Sequence, residues 1–289
     1  MTTTATPTSS ASLSGVSFGG ILRSEWIKLR SLRSTVWCYA IMVVLTIGFG
    51  LLFAASASFM FAEVPEGAIT DDQQGTLALV ATVGLTFSQL IAIILGALMI
   101  TGEYGTGMIR STFTAVPQRI PAVLGKAIVF AVVTFIVSFA SLAITAVLGQ
   151  PLLDASGIPS TLSDDKLWIA LAGGAGYTAL IGLFGMAIGT IIRNSAGSIA
   201  AALGTVLVLP TVLQIFTSVM QAEWANNLAT FLPSNAGALM YTYPTDEEPF
   251  NPYTFDPIVL EAWQGGLVVV AWVVALFVLA SVLLKRRDA

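Results

Sequence analysis

Thr101-Gly-Glu-Tyr-Gly-Thr-Gly-Met-Ile-Arg-Ser-Thr-Phe-Thr-Ala-Val-Pro-Gln-Arg119 is a polar interruption between two long apolar runs, near 76–100 and 122–149. Each run is long enough for the roughly 20 helical residues that cross a bilayer core. The chain therefore reads as a series of spans joined by short polar segments. Within the interruption, Glu103, Arg110 and Arg119 are charges in a region otherwise nearly free of them. Gly102, Gly105 and Gly107 stand where the first apolar run ends. Residues 106–115 can form about two helical turns before Pro117 stops them. The glycines admit two readings, a hinge between span and short helix or plain helix breaks at the membrane surface.

Composition supports the membrane reading. Of 289 residues, 56% are hydrophobic and 10% charged, and the mean hydropathy is +0.86. Soluble domains carry about a quarter charged residues, so most of this surface must face lipid. Histidine is absent and Cys38 is the single cysteine. That pattern excludes an intrachain disulfide framework, Cys-rich metal sites, bis-histidine haem and His-based acid–base chemistry. No catalytic residue and no metal ligand is assigned, and no feature points to nucleic acid.

Residues 1–20, rich in Thr, Ser, Ala and Gly and uncharged, read as a disordered tail without the pattern of a signal peptide. Residues 21–33 fit an interfacial helix, with Leu22, Trp26 and Leu29 on one stripe and Arg23, Lys28 and Arg30 beside it. Glu25 and Arg33 fall near that stripe and make it imperfect, which leaves open a plain basic flank that orients the first span. Six spans are placed near 35–60, 76–100, 122–149, 167–192, 196–220 and 263–284. The fourth and fifth are joined only by Arg193-Asn-Ser195, which forces a helical hairpin. Every basic residue except Lys166 falls on one side of this topology. The other side holds acids such as Glu63, Asp71, Asp154, Asp164, Glu223 and Asp246-Glu-Glu248. The positive-inside rule then puts both termini and the 101–121 loop in the cytoplasm. The outer connection, 221–262, is semi-apolar in its first half and broken at Pro233, which suits short re-entrant helices before the last span.

Polar groups inside the spans are mild. Gln89 and Gln214 either line a pathway or act as interhelical hydrogen-bond partners. No acid lies at mid-membrane, which counts against a proton-coupled carrier. Gly185 and Gly189, in GxxxG spacing, are explained by close helix packing. Gly125-Lys126 lacks the glycine five positions earlier and the Ser or Thr afterwards that a phosphate-binding loop requires. The chain thus has a helical bundle and no energy source of its own.

Glu103-Tyr-Gly-Thr-Gly-Met-Ile-Arg110 with Pro117-Gln-Arg119 resembles the loop after the second span of ABC-2 type permeases, the membrane subunits of many bacterial ABC exporters. Ser24-Glu-Trp-Ile-Lys-Leu29 and Leu232-Pro-Ser234 are similar to that family as well, and the resemblance runs from about Leu22 to Arg287. It implies an all-α membrane protein with a six-helix permease domain over 21–289 and an elbow helix bearing Arg23, Glu25, Trp26, Lys28 and Arg30. It implies that Glu103, Tyr104, Gly105, Thr106, Gly107, Met108, Ile109 and Arg110 couple to a separate ABC ATPase, two copies of which bind ATP and Mg. It also implies a second permease chain, identical or different, in the bacterial plasma membrane, with no cofactor in this chain. On this reading Glu103 either touches the ATPase or pairs instead with Arg110 or with a base of the elbow. An apolar or amphipathic cargo, moved outward, suits the uncharged spans. A six-span scaffold recruiting a cytoplasmic partner and a self-contained carrier are the alternatives. The Ala, Val and Gly bias hints at a GC-rich bacterial genome.

Overall fold

The computed structural model describes residues 17–60, 73–109, 114, 120–158, 160–244 and 255–286. Among them there is no strand. The order is α1 (Phe18–Ser31), α2 (Arg33–Met60), α3 (Gln73–Thr82), α4 (Leu85–Gly105), α5 (Ile120–Ala155), α6 (Asp165–Ile192) and α7 (Ser195–Leu203). After a π-helical turn at Gly204–Val208 come α8 (Leu209–Met220), α9 (Glu223–Thr230), α10 (Pro233–Ala238) and α11 (Ala262–Arg286). Six segments are long and apolar enough to cross a membrane: Arg33–Ala57, Gly75–Gly105, Ile120–Ala155, Asp165–Ile192, Ser195–Met220 and Ala262–Arg286.

Local chemistry sets the boundaries. Ser17 caps α1 by accepting the Gly20 N–H at 3.2 Å, so this helix starts at Phe18, earlier than the 21–33 expectation. The rest of the expected disordered tail, 1–16, lies outside the described residues. The second span is bent rather than straight. Gly84 lies so close to α2 that a Cβ there would meet the Thr46 backbone at 2.6 Å, and α3 gives way to α4 at this approach. In the fifth span Pro210 has no N–H and its ring crowds the preceding turn, and the chain widens into the π-helical turn just before it. Arg193, at φ 61°, ends α6, and Asn194 caps α7 by accepting the Gly197 N–H at 2.9 Å.

The bundle is built around α6, the most buried span, whereas the α7–α8 span is mostly exposed. The seam between α4 and α6 is made of glycines. A Cβ on Gly96 would lie 2.0 Å from the Gly182 carbonyl oxygen, on Gly185 2.4 Å from that of Ile93, and on Gly189 3.0 Å from that of Ala97. The GxxxG spacing is therefore helix packing, as small-residue interfaces between spans require. The short helix α9 packs on α8, with Leu213 against Ala225 and Ala229, and α10 tucks against α6 and α11. Gly237 of α10 rests on the Tyr177 ring, 2.1 Å from where its Cβ would be. Tyr177 lies about 18 Å along α6 from Asp165 at 1.5 Å per residue, so α10 packs beside the middle of that span. At the opposite end, Leu29, Met42, Ile100, Ile109, Val123 and Leu284 form one apolar cluster. The first and last described helices therefore both reach this cluster, at the end that carries the glycine-containing loop.

Candidate functional site: a closed circuit of buried charges beneath the loop

Three elements converge at that end. α4 does not stop near residue 100; it continues as helix through Gly102 to Gly105, and Gly107, at φ +73°, makes the first real turn. Neither Gly102 nor Gly105 has a neighbour within 4 Å of a would-be Cβ. The loosening expected at three glycines is thus confined to Gly107. Because the helix persists, Glu103 points into the bundle and is buried.

α1 meets it from the side, through a face distinct from the apolar stripe expected to lie at the membrane interface. The buried face is Ile21, Glu25 and Leu29, at i, i+4, i+8, while Leu22 is half-buried and Trp26 is exposed. Glu25 defines the inward stripe because its counter-charge lies inside the bundle. Lys126, on the first turns of α5, places its ammonium 2.6 Å from Glu25 Oε2 and 2.8 Å from Glu103 Oε1. Lys28 closes the circuit at 2.7 Å from Glu25 Oε1 and 3.1 Å from Glu103 Oε1. Each carboxylate accepts from two ammoniums and each ammonium donates to two carboxylates, so the group is neutral overall. Glu25, Glu103 and Lys126 are at most 5% exposed.

Charges this buried are tolerated only when paired and hydrogen-bonded on several sides. Burial by itself would lower the Lys28 pKa, but the hydrogen bond and charge of Glu25 and the charge of Glu103 outweigh it and raise it above the ordinary lysine value. Of the two pairings foreseen for Glu103, the elbow base is present. Arg110 and Arg119 lie outside the described residues. In the sequence Lys126 counts only among the basic residues on the loop side, and its partners are not assigned there. The signal was available: a lone lysine inside an apolar run has to find an acid.

Above the circuit, Gly105, Thr106, Gly107 and Met108 are exposed, and Ile109 is buried in the cluster below. The loop between α6 and α7 is tied in beside them. The Arg193 guanidinium sits over the Tyr104 ring at 5.0 Å, and Ser195 Oγ donates to Thr101 Oγ1 at 2.9 Å. Arg23 and Arg30 are exposed and stay outside the circuit. Gln89 is far from it in the chain, accepting from the Tyr177 hydroxyl and donating to the Thr86 carbonyl, as an interhelical hydrogen-bond partner does. Gln214 faces outward on α8. Among the described residues no cluster of acids and cysteines could hold a metal.

Six long apolar helices, a glycine-sealed centre and a polar loop braced by buried charges describe a multi-pass membrane protein. The chain matches the family described as ABC-2 family transporter protein over residues 20–289 and belongs to it. A search of curated proteins finds no match. Membership makes this chain the transmembrane permease subunit of an ABC transporter, a subunit that associates with an ABC ATPase and is generally not itself catalytic.

Proposed function

We propose that this chain is half of an exporter: two permease chains enclose a pathway, and two ATPase subunits, binding ATP and Mg, dock against the loop that starts at Gly105. The observation that carries the reading is the charge circuit. It joins the end of α4, the start of α5 and the middle of α1 directly beneath the exposed 105–108 segment. A displacement of that segment is delivered to two spans and the elbow at once, because separating any member strands a buried charge at several kcal/mol. Gly107 supplies the turn that lets the loop move relative to α4. The basic flanks face the cytoplasm of a bacterial cell and α1 lies along the inner leaflet, as the charge asymmetry favours. The cargo is apolar or amphipathic, in keeping with pathway walls almost free of charge.

The test is ATPase coupling in proteoliposomes containing this chain and its partner ATPase. Met108→Glu, on the exposed rim, should weaken co-purification of the ATPase, whereas Glu103→Gln should leave assembly intact and lower transport per ATP hydrolysed. Unchanged coupling in Glu103→Gln would reduce the circuit to a packing feature, and unchanged assembly in Met108→Glu would move the docking surface elsewhere.

A further inference from the structure

Beyond the circuit, the crossing of α1 over α5 leaves a groove of about 630 Å³ on the outside of the bundle. Gly125 creates the crossing: a Cβ there would lie 2.6 Å from Ile21 Cγ2, so α1 rests directly on α5 at this point. The Lys126–Glu25 pair then holds it there. Past the crossing, Leu22, Arg23 and Trp26 overhang a stripe of α5 that includes Ile128, Val132 and Ile136. These three recur every fourth residue, each is exposed, and together they span about 12 Å of helix.

α5 is one of the six spans, so its outward stripe has acyl chains for solvent. The groove is apolar along its length and carries one cation, Arg23, which makes no ion pair among the described residues. Glu25, one turn-face away, cannot neutralise it, being committed to Lys28 and Lys126. Trp26 beside it has the amphipathic ring that favours the headgroup level. An occupant must therefore combine an apolar chain with a negative head. We propose that the groove binds one anionic phospholipid, its acyl chain along Ile128, Val132 and Ile136 and its phosphate at Arg23. Because one wall is α1, held by the charge circuit, the bound lipid clamps the elbow against the third span.

The test uses the full chain in nanodiscs of phosphatidylcholine containing a minor fraction of brominated phosphatidylglycerol or brominated phosphatidylcholine. Quenching of Trp26 is isolated as the difference between wild type and Trp26→Phe, and no transport or ATP enters the readout. Brominated phosphatidylglycerol should quench about fivefold more effectively at equal fraction, the factor one basic side chain near an anionic headgroup supplies. Arg23→Gln should abolish that preference and Arg30→Gln should preserve it. Val132→Phe, which fills the groove, should reduce quenching by phosphatidylglycerol. Equal quenching by the two lipids in the wild type overturns the proposal. So does an equal loss in Arg30→Gln, which would mean diffuse attraction to a basic helix. Undiminished quenching in Val132→Phe removes the acyl chain from the groove. Quenching by neither lipid means that protein, such as a second copy, covers it.

Discussion

The α4–α6 seam and the α1–α4–α5 junction are both buried helix contacts, and they are held in opposite ways. At the seam, glycines bring backbone against backbone, with Gly96, Gly185 and Gly189 leaving no room for a side chain. At the junction α1 touches α5 directly where Gly125 meets Ile21, and beside that point four charged side chains make the contact. Dispersion at a close backbone contact falls off within an ångström of separation, so the seam has one arrangement. Ion pairs tolerate small shifts in distance but not loss of a partner. The seam is thus a fixed axis, whereas the junction can shift without coming apart, and the proposed coupling would use the second.

The largest effect should come from the seam. Gly96→Val would place a Cβ 2.0 Å from the Gly182 carbonyl oxygen, and yield of monodisperse protein in mild detergent should collapse. Wild-type yield would mean that α4 and α6 can separate, and the contrast with the junction would fail. Next comes Lys126→Met, which leaves Glu25 and Glu103 buried and short of a counter-charge. Breaking a buried pair in this way costs about 3–5 kcal/mol, read as a lowered melting temperature in detergent. Adding Glu103→Gln to that variant should restore part of the loss, because one stranded carboxylate is then neutral.

A smaller effect concerns alkaline pH. The Lys28 pKa is raised by its two carboxylates in spite of burial. Its contribution is thus fully present below the ordinary lysine value of about 10.4 and is lost as pH rises through the higher folded value. Melting temperature should fall over that range in the wild type, and less in Lys28→Arg, whose guanidinium stays protonated. Identical profiles would show that Lys28 does not support the junction. The smallest effect should be Gly102→Ala. That position is helical with open space around it, so alanine should stabilise by about 0.5–1 kcal/mol and leave coupling unchanged. Lost coupling would restore Gly102 as a hinge and soften the distinction between a continuous α4 and a flexible loop.

Much of this architecture was legible along the chain. Each span must carry its own run of apolar residues, and the six runs correspond one to one with the six long helices. The glycine spacing of 185 and 189 likewise announced a packed face. On α1 the apolar stripe is compatible with an exposed Trp26, because in lipid an apolar side chain is at home on the outside. What the sequence did not disclose is the second, inward face of Ile21, Glu25 and Leu29, where a charge must turn inward to find a partner.

By itself, then, the sequence determined the number of spans, their approximate limits and the family, because those rest on local composition and on motifs contiguous in the chain. Only the tertiary structure decided that Glu25, Lys28, Glu103 and Lys126 form one neutral circuit, that α4 stays helical to Gly105, and that α1 roofs a groove on α5. Lys126 lies 101 positions from Glu25 and 23 from Glu103. Pairing over such separations is set by which helix faces are brought together, a property of the folded bundle that no single segment contains.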